Sequence, residues 1–303
     1  MKGILFIISL PRSGSTILQK LLCTSSLINS SAEPWLLLPL FAMSSNKGKE
    51  VFNRKISAKA ISEFDDFLKS NTGNSLNDEI ALWVQFTYGK LAPEGGYFLD
   101  KTPRYYHLEE RLIDAFSNFK FIFLFRNPLE VFASKIKGHN GKLGGYYSYR
   151  DDLFKAPSSI MQMYTKCNDG LGLSYYDMTR HQDLTSESLN HFLDVIDIDS
   201  RMIDRVKLKG SLGDFRAMTN SDTIRPNDSS WSDVVNSPIR YYLFRRLLAT
   251  CPDEFLVLSK ENRSELEKNL QKRRIVSFFN IVGLLLDSLS LGRGYVKAKI
   301  SGQ

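Results

Sequence analysis

The amino-acid sequence predicts an α/β protein, with a parallel β-sheet flanked by helices and a mostly helical second half. Three observations lead there. Ile4–Ile8 is a continuous apolar run rather than an alternating one, and Phe119–Phe125 is apolar apart from Lys120, the pattern of strands buried on both faces. Each run is followed at once by a turn marked by glycine or proline and then by helical spacing. Strand and helix patterns go on alternating through the first half, as a parallel sheet with crossover helices requires.

Taken in order, Ile4–Ile8 is the first strand, and Ser15–Cys23 carries apolar residues at helical spacing. Ser44–Lys55 is polar. Leu76–Leu91 reads as an amphipathic helix, with Leu76, Ile80, Trp83, Val84 and Leu91 on or near one face. The stretch GYFLDKTP is a short strand ending in a polar loop. Leu108, Leu112, Ile113 and Phe116 mark a helix, expected to start after Pro103. Phe119–Phe125 is the second buried strand, and Pro128 opens the next helix in its first turn. Gly138–Tyr149, rich in glycine and tyrosine and without periodicity, is expected to be a mobile loop. Ser237–Thr250 is a helix stopped by Pro252, and a last helix runs from about Ser264 to Leu291.

Length and composition narrow the classes. The 303 residues suit one domain, 1–303, with the last helix as an appendage. At 43% hydrophobic and 24% charged, the chain is ordinary for a soluble globular protein. The net charge of +7 favours anionic ligands, but the basic residues do not interleave with aromatics in a stripe, which argues against nucleic acid. Three scattered cysteines, Cys23, Cys167 and Cys251, show neither zinc spacing nor a disulfide framework, and fit reduced thiols in the cytoplasm. The apolar start ends at Pro11-Arg12 without a small-residue cleavage site, so a buried strand explains it better than a signal peptide. The last helix holds IVSFFNIVGLLLDSLSL after a basic KRR. It falls short of the ~20 apolar residues of a membrane span. Core packing, a homodimer interface or a place on a membrane surface remain open for it.

The loop after the first strand carries the chemistry. A strand-to-helix loop aims backbone N–H groups at one point, and the helix N-terminus adds roughly half a positive charge. Gly14 allows close approach of an anion, Ser13, Ser15 and Thr16 add hydroxyls, and Arg12 adds a fixed charge. The site is P-loop-like, yet it lacks the G-x-x-x-x-G-K-[ST] of ATP and GTP sites: Ser15 follows Gly14 where lysine would stand. The strand Phe119–Phe125 ends in Arg126, which cannot hold magnesium. Asp100 could, although Lys101 beside it would compete. The expected site is built from cations and dipoles, without a metal.

These residues resemble the sulfotransferases that use 3'-phosphoadenosine 5'-phosphosulfate (PAPS). Arg12-Ser13-Gly14-Ser15-Thr16 matches the family's [KR]-[ST]-G-[ST] for the 5'-phosphosulfate. Arg126, and Ser134 eight residues on, match its 3'-phosphate motif. LKGSLGDF, with Lys209, Gly210, Gly213, Asp214 and Phe215, resembles R-K-G-x-x-G-D-W, and RHQDL resembles the stretch around YEDL. The resemblance implies PAPS as donor, PAP as product and an acceptor hydroxyl. It departs at Lys101-Thr102-Pro103, where cytosolic members carry K-T-H with histidine as base. His107 is one replacement. Glu33, 21 residues after Arg12, is the better one, because tyrosylprotein and bacterial carbohydrate sulfotransferases place a glutamate base there, assisted by a lysine at the Lys101 position. Ser229-Ser230-Trp231 resembles a Ser-x-Trp near the nucleotide, though Trp231 fits a core equally well.

The expected assignment is Arg12, Glu33 and Lys101 for the chemistry, with Ser13, Gly14, Ser15, Thr16, Arg126, Ser134, Lys209, Gly210 and Ser229 joining Arg12 around the nucleotide. The acceptor class implied is a small molecule or glycan, with a glycan or glycolipid hydroxyl first. Ala58–Leu91 and Gly138–Tyr149 are expected to shape its pocket. The alternatives are a magnesium-dependent kinase using Asp100 and ATP, and a non-catalytic nucleotide-binding protein.

Overall fold

The apolar run at the N-terminus forms β1 (Gly3–Ser9), buried at every residue. In the computed structural model, which describes residues 2–42, 54–208 and 230–301, this strand is the middle of a five-stranded sheet. The others are β2 (Ile28–Ser30), β3 (Tyr97–Lys101), β4 (Lys120–Phe125) and β5 (Gly170–Ser174), in the order β2-β3-β1-β4-β5. All pairings are parallel. The unbroken apolar pattern of β1 follows from this position. Ile4, Phe6 and Ile8 enter the core on one face, and Leu5 and Ile7 the core on the other.

The helices in chain order are α1 (Ser15–Leu22), α2 (Leu37–Ala42), α3 (Arg54–Thr72), α4 (Leu76–Gly89), α5 (Glu110–Ala115), α6 (Pro128–Gly138), α7 (Tyr146–Phe154) and α8 (Ala156–Lys166). They continue with α9 (Tyr175–Arg180), α10 (Gln182–Leu193), α11 (Pro238–Thr250), α12 (Asp253–Leu258), α13 (Arg263–Phe279) and α14 (Ile281–Ser301). α1, α9 and α10 cover one face of the sheet through Leu18, Leu21, Met178, Leu189 and Leu193. The larger core on the other face is filled from α4, α5, α6, α8, α11 and α12. Local chemistry sets several starts. Ser75 and Asp78 form a reciprocal capping box on α4. Asn127 caps α6 ahead of Pro128, and Ser237 caps α11.

The expected fold class holds, with corrections at particular elements. The last helix is two, not one: α13 and α14 meet at Asn280, and α14 runs on to Ser301. Asn280 causes the break, because its side chain accepts from Gly283 N at 2.8 Å and donates to the Asn236 carbonyl at 2.7 Å. Gly138–Tyr149 is not one loop. α6 reaches Gly138, α7 begins at Tyr146, and Tyr149 is buried against Phe132 and His139. On α4 the buried residues are Ile80, Ala81, Val84 and Tyr88, whereas Trp83 is half exposed and Leu91 lies beyond the helix. The chain after Pro103 turns through one 3-10 segment, Tyr105–His107, before α5 starts at Glu110. No helix among the described residues is long and apolar enough to cross a membrane.

Candidate active site

β1 and β4 are neighbours, but the chain leaves them in opposite directions. From β1 it goes through α1 to β2 at one edge, and from β4 through α6 to β5 at the other. Such a divergence opens a crevice at the carboxyl ends of the strands, where open α/β sheets bind ligands. The loop 10–14, Arg126 at the end of β4 and Lys101 at the end of β3 all sit along that edge.

The loop after β1 turns tightly. Ser13 N donates to the Leu10 carbonyl, and Arg12 and Gly14 have φ of 75° and 95°. Gly14 is required on two counts. Its φ is left-handed, and a Cβ there would lie 2.7 Å from the Tyr175 ring. The Gly14 carbonyl then accepts from Ile17 and Leu18, which starts α1 with its first amides directed at the crevice.

Arg126 is tied into this loop. Its Nη1 donates to the Arg12 carbonyl at 3.2 Å, its Nε to Glu130 at 3.0 Å, and its guanidinium lies 3.9 Å over the Tyr175 ring. The Arg12 Nε contacts Ser134 Oγ at 3.5 Å. The structure thus brings Arg12, Arg126 and Ser134 together, as the sequence predicts. Two polar atoms here are buried with no hydrogen-bond partner among the described residues: Ser13 Oγ and Arg126 Nη2. Orphaned buried donors are costly in a fold, and donors to an anion are what a phosphate site keeps in reserve.

A second chain of contacts lies beside the first. Lys101, only 1% exposed, donates from Nζ to Glu33 Oε1 at 2.8 Å and to Thr16 Oγ1 at 3.3 Å. The other oxygen of Glu33 accepts from Trp35 Nε1 at 3.0 Å. β2 explains how Glu33 arrives there. This edge strand pairs with β3, and Ser30 Oγ donates to the Leu99 carbonyl, so the loop after β2 runs alongside the end of β3. A carboxylate oxygen has more than one lone pair, so a single hydrogen bond to each Glu33 oxygen leaves capacity for a proton.

Arg12 of the first chain and Thr16, Glu33 and Trp35 of the second line one cleft of about 360 Å³, with Gly14, Ser15, Arg104, Lys135 and Asp152 among others, while Arg126 lines a separate small pocket with Glu130 and Tyr175. Trp35, Arg104, Lys135 and Asp152 were not expected. Asp152 is 1% exposed and gathers donors from three residues: Arg104 through two nitrogens at 3.2 Å, Tyr106 at 2.6 Å and Lys135 at 2.8 Å. Burial pushes its carboxyl up, but Lys135, Arg104 and Tyr106 outweigh it and hold the group below the usual carboxylate range. It fixes two cations in the cleft wall.

Other expected residues fall elsewhere. Lys209, Gly210 and Ser229, with Gly213, Asp214 and Phe215, lie outside the described residues. Trp231 is core, 8% exposed and stacked on Phe244. His107 packs at a tilt against Tyr106 and is not part of the cleft lining. His181 and Gln182, from RHQDL, stand at the junction of α9 and α10. Asp100 is fully buried on the other face of β3, where Tyr88, Tyr105 and Thr102 donate to it. Burial raises its pKa to about 6, against the opposing pull of those hydroxyls. Among the described residues, no group of three or more His, Cys, Asp or Glu is arranged to hold a metal.

The sulfotransferase family model matches residues 5–199, which span all five strands and every cleft residue named above. The chain belongs to the sulfotransferase family. It is a sulfotransferase enzyme, and nothing favours the kinase alternative. No curated protein matches it. Solved structures similar to it include the sulfotransferase domain from the curacin biosynthetic pathway, 23% identical over 75% of this chain and 86% of that one, with a TM-score of 0.47. The sulfotransferase domain from the Synechococcus PCC 7002 olefin synthase is 21% identical over 85% and 93%, with a TM-score of 0.48. Mouse sulfotransferase SULT7A1, complexed with PAP, is 12% identical over 90% of each chain, with a TM-score of 0.49.

Proposed function

We propose that the enzyme takes a sulfuryl group from PAPS and passes it to an acceptor hydroxyl, with Glu33 as the base. The observation that carries this reading is the contact chain Glu33–Lys101–Thr16, which joins a carboxylate to the phosphate loop through one buried cation. In this reading Arg12 and the loop Ser13–Thr16 hold the 5'-phosphosulfate, and Arg126 and Ser134 hold the 3'-phosphate. Ser13 Oγ and Arg126 Nη2, without partners among the described residues, support this assignment, since both are donors that suit an anion. The S–O bond to the leaving phosphate breaks as the acceptor oxygen bonds to sulfur. The acceptor proton goes to Glu33, and PAP departs with the bridging oxygen.

The leaving phosphate is a weak base, so it needs charge rather than a strong acid. Arg12 and Lys101 supply it, and preorganised donors of this kind contribute ~2.7–4 kcal/mol each. Proton removal by the base adds ~10²–10⁴-fold. The family implies a small-molecule acceptor. We infer a glycan or glycolipid hydroxyl, for which Trp35 offers an aromatic face at the cleft wall. We infer a cytoplasmic, single-domain enzyme that works without a metal; the free thiols Cys23, Cys167 and Cys251 support a reducing compartment.

The test is transfer of labelled sulfate from PAPS into a host lysate, with products separated by class, alongside calorimetric binding of PAP. Glu33→Gln is expected to bind PAP within a few-fold of the wild type and to lose at least a hundredfold in turnover. Full turnover in this variant removes Glu33 as the base. Absence of PAP binding in the wild type removes the donor assignment.

A further inference from the structure

The helix α14 is amphipathic in the wrong sense for a globular surface. Its inward face carries Asp287, Leu291, Gly294 and Ala298. Asp287 is 3% exposed, paired with Arg240 at 2.8 Å and bonded to Ser237 at 2.5 Å. Gly294 lies against Gly144 so closely that a Cβ would come within 2.2 Å of the Gly144 carbonyl. The outward face carries Val282, Leu285, Leu286, Leu289 and Val296, each more than half exposed, and Phe278 and Ile281 continue it across the Asn280 break. An ordinary surface helix buries its leucines and exposes its acids. Here the acid, the glycine and Leu291 dock the helix, and Leu285, Leu286 and Leu289 face out as a contiguous ridge, which marks an interaction surface.

Charge decides the occupant. Between 272 and 301 the chain has Lys272, Arg273, Arg274, Arg293, Lys297 and Lys299, and Asp287 is the one acid. That acid is already neutralised by Arg240. The ridge therefore presents leucines bordered by exposed Arg293 and Lys297 with no carboxylate to offset them. A second copy of the chain would set this face against itself, cation facing cation. An anionic lipid surface supplies the missing sign and receives the leucines.

We propose that α14 lies in the plane of an anionic bilayer, leucines inserted and Arg293 and Lys297 on the lipid phosphates. The helix cannot span the membrane, so the enzyme would be held at its surface. This inference does not depend on the donor, the acceptor or the base.

Co-sedimentation of the full chain with vesicles tests it, using phosphatidylcholine alone and phosphatidylcholine mixed equally with phosphatidylglycerol. The wild type is expected to bind the mixed vesicles, to release them in high salt and to ignore the neutral ones. Removing two cations with Arg293→Gln and Lys297→Gln is expected to weaken binding about 25-fold, roughly fivefold for each. Leu285→Ser with Leu289→Ser is expected to weaken it at least tenfold. Both pairs leave the inward face of α14 untouched, so an unchanged unfolding midpoint shows that any loss is at the surface. Equal binding to both vesicle types, no binding to either, or wild-type binding by the leucine variant each overturns the proposal. So does a dimer in sedimentation velocity that the leucine variant dissociates, if that dimer does not bind vesicles.

Discussion

Replacing Gly14 by alanine probes the phosphate loop with the smallest possible addition. Two costs can be worked out. The φ of 95° is a left-handed conformation that side chains other than glycine's adopt at ~1–3 kcal/mol. The new Cβ would sit 2.7 Å from Cδ2 and Cε2 of Tyr175, so the ring must retreat by about 0.7 Å to reach the 3.4 Å of an ordinary contact. Tyr175 also lies beneath Arg126, with the guanidinium 3.9 Å from the ring. Moving the ring therefore moves the cation assigned to the 3'-phosphate. We expect a loss of about 2–4 kcal/mol in stability by urea denaturation, and at least a tenfold loss in PAP affinity by titration calorimetry. A second substitution separates the two costs. Tyr175→Ala in the Gly14→Ala background clears the clash and leaves φ alone, so the pair should be more stable than the sum of the single losses predicts. Wild-type affinity and stability in Gly14→Ala would refute the reasoning outright, and strict additivity of the pair would refute the steric half.

Three other perturbations have definite expectations. Lys101→Met takes away the cation between Glu33 and Thr16, and turnover on PAPS should fall by about 10²–10³ while the sheet still forms, which circular dichroism checks. Asp152→Asn breaks a buried pair with Lys135 and should cost about 3 kcal/mol in denaturant titrations at neutral pH. The Asp152 carboxyl is depressed in the fold, so its stabilising effect is present above its unfolded value and fades as pH falls through the lower folded one. Asp100 has the opposite sign. Its folded pKa of about 6 stands above the ordinary 3.8, so the fold holds a proton that the unfolded chain has lost, and stability falls as pH rises from about 4 to about 6. The wild-type curve should drop by about 3 kcal/mol more than that of Asp100→Asn across this window, and parallel curves would contradict it.

The strands that the sequence pattern finds are the three inner ones, β1, β3 and β4, and in β1 and β4 burial on both faces leaves an apolar run. β2 and β5 escape it for different reasons. β2 is three residues at an edge, and Asn29 and Ser30 give it no apolar signature. β5 reads GLGLS, and its glycines look like a loop until the packing is seen. A Cβ on Gly172 would lie 2.8 Å from the Tyr164 hydroxyl, and one on Gly170 would lie 3.1 Å from Phe123. The site divides in the same way. Arg12, Gly14, Arg126 and Ser134 are legible because one loop and one strand-helix step carry them. Trp35, Arg104, Lys135 and Asp152 are not, because each looks like an ordinary surface residue in the chain. Only the fold sets Arg104 and Lys135 against one carboxylate. The break at Asn280 was hidden because the apolar pattern continues through it, while the side chain caps the next helix.

The all-parallel pairing also sets the order of events during synthesis. β1 has no partner near it in the chain: Gly3 registers with Tyr97, and Leu5 with Lys120. At ~5–20 residues per second, the first strand leaves the ribosome on the order of 5–20 s before β3 exists to receive it. Through that interval a mostly apolar segment lacks its sheet partners, and the turn at Arg12–Gly14 has only its local hydrogen bonds. A topology built from contacts this distant folds slowly and depends on protection from aggregation. β1 thus waits for its sheet partners until the chain has passed residues 97–124.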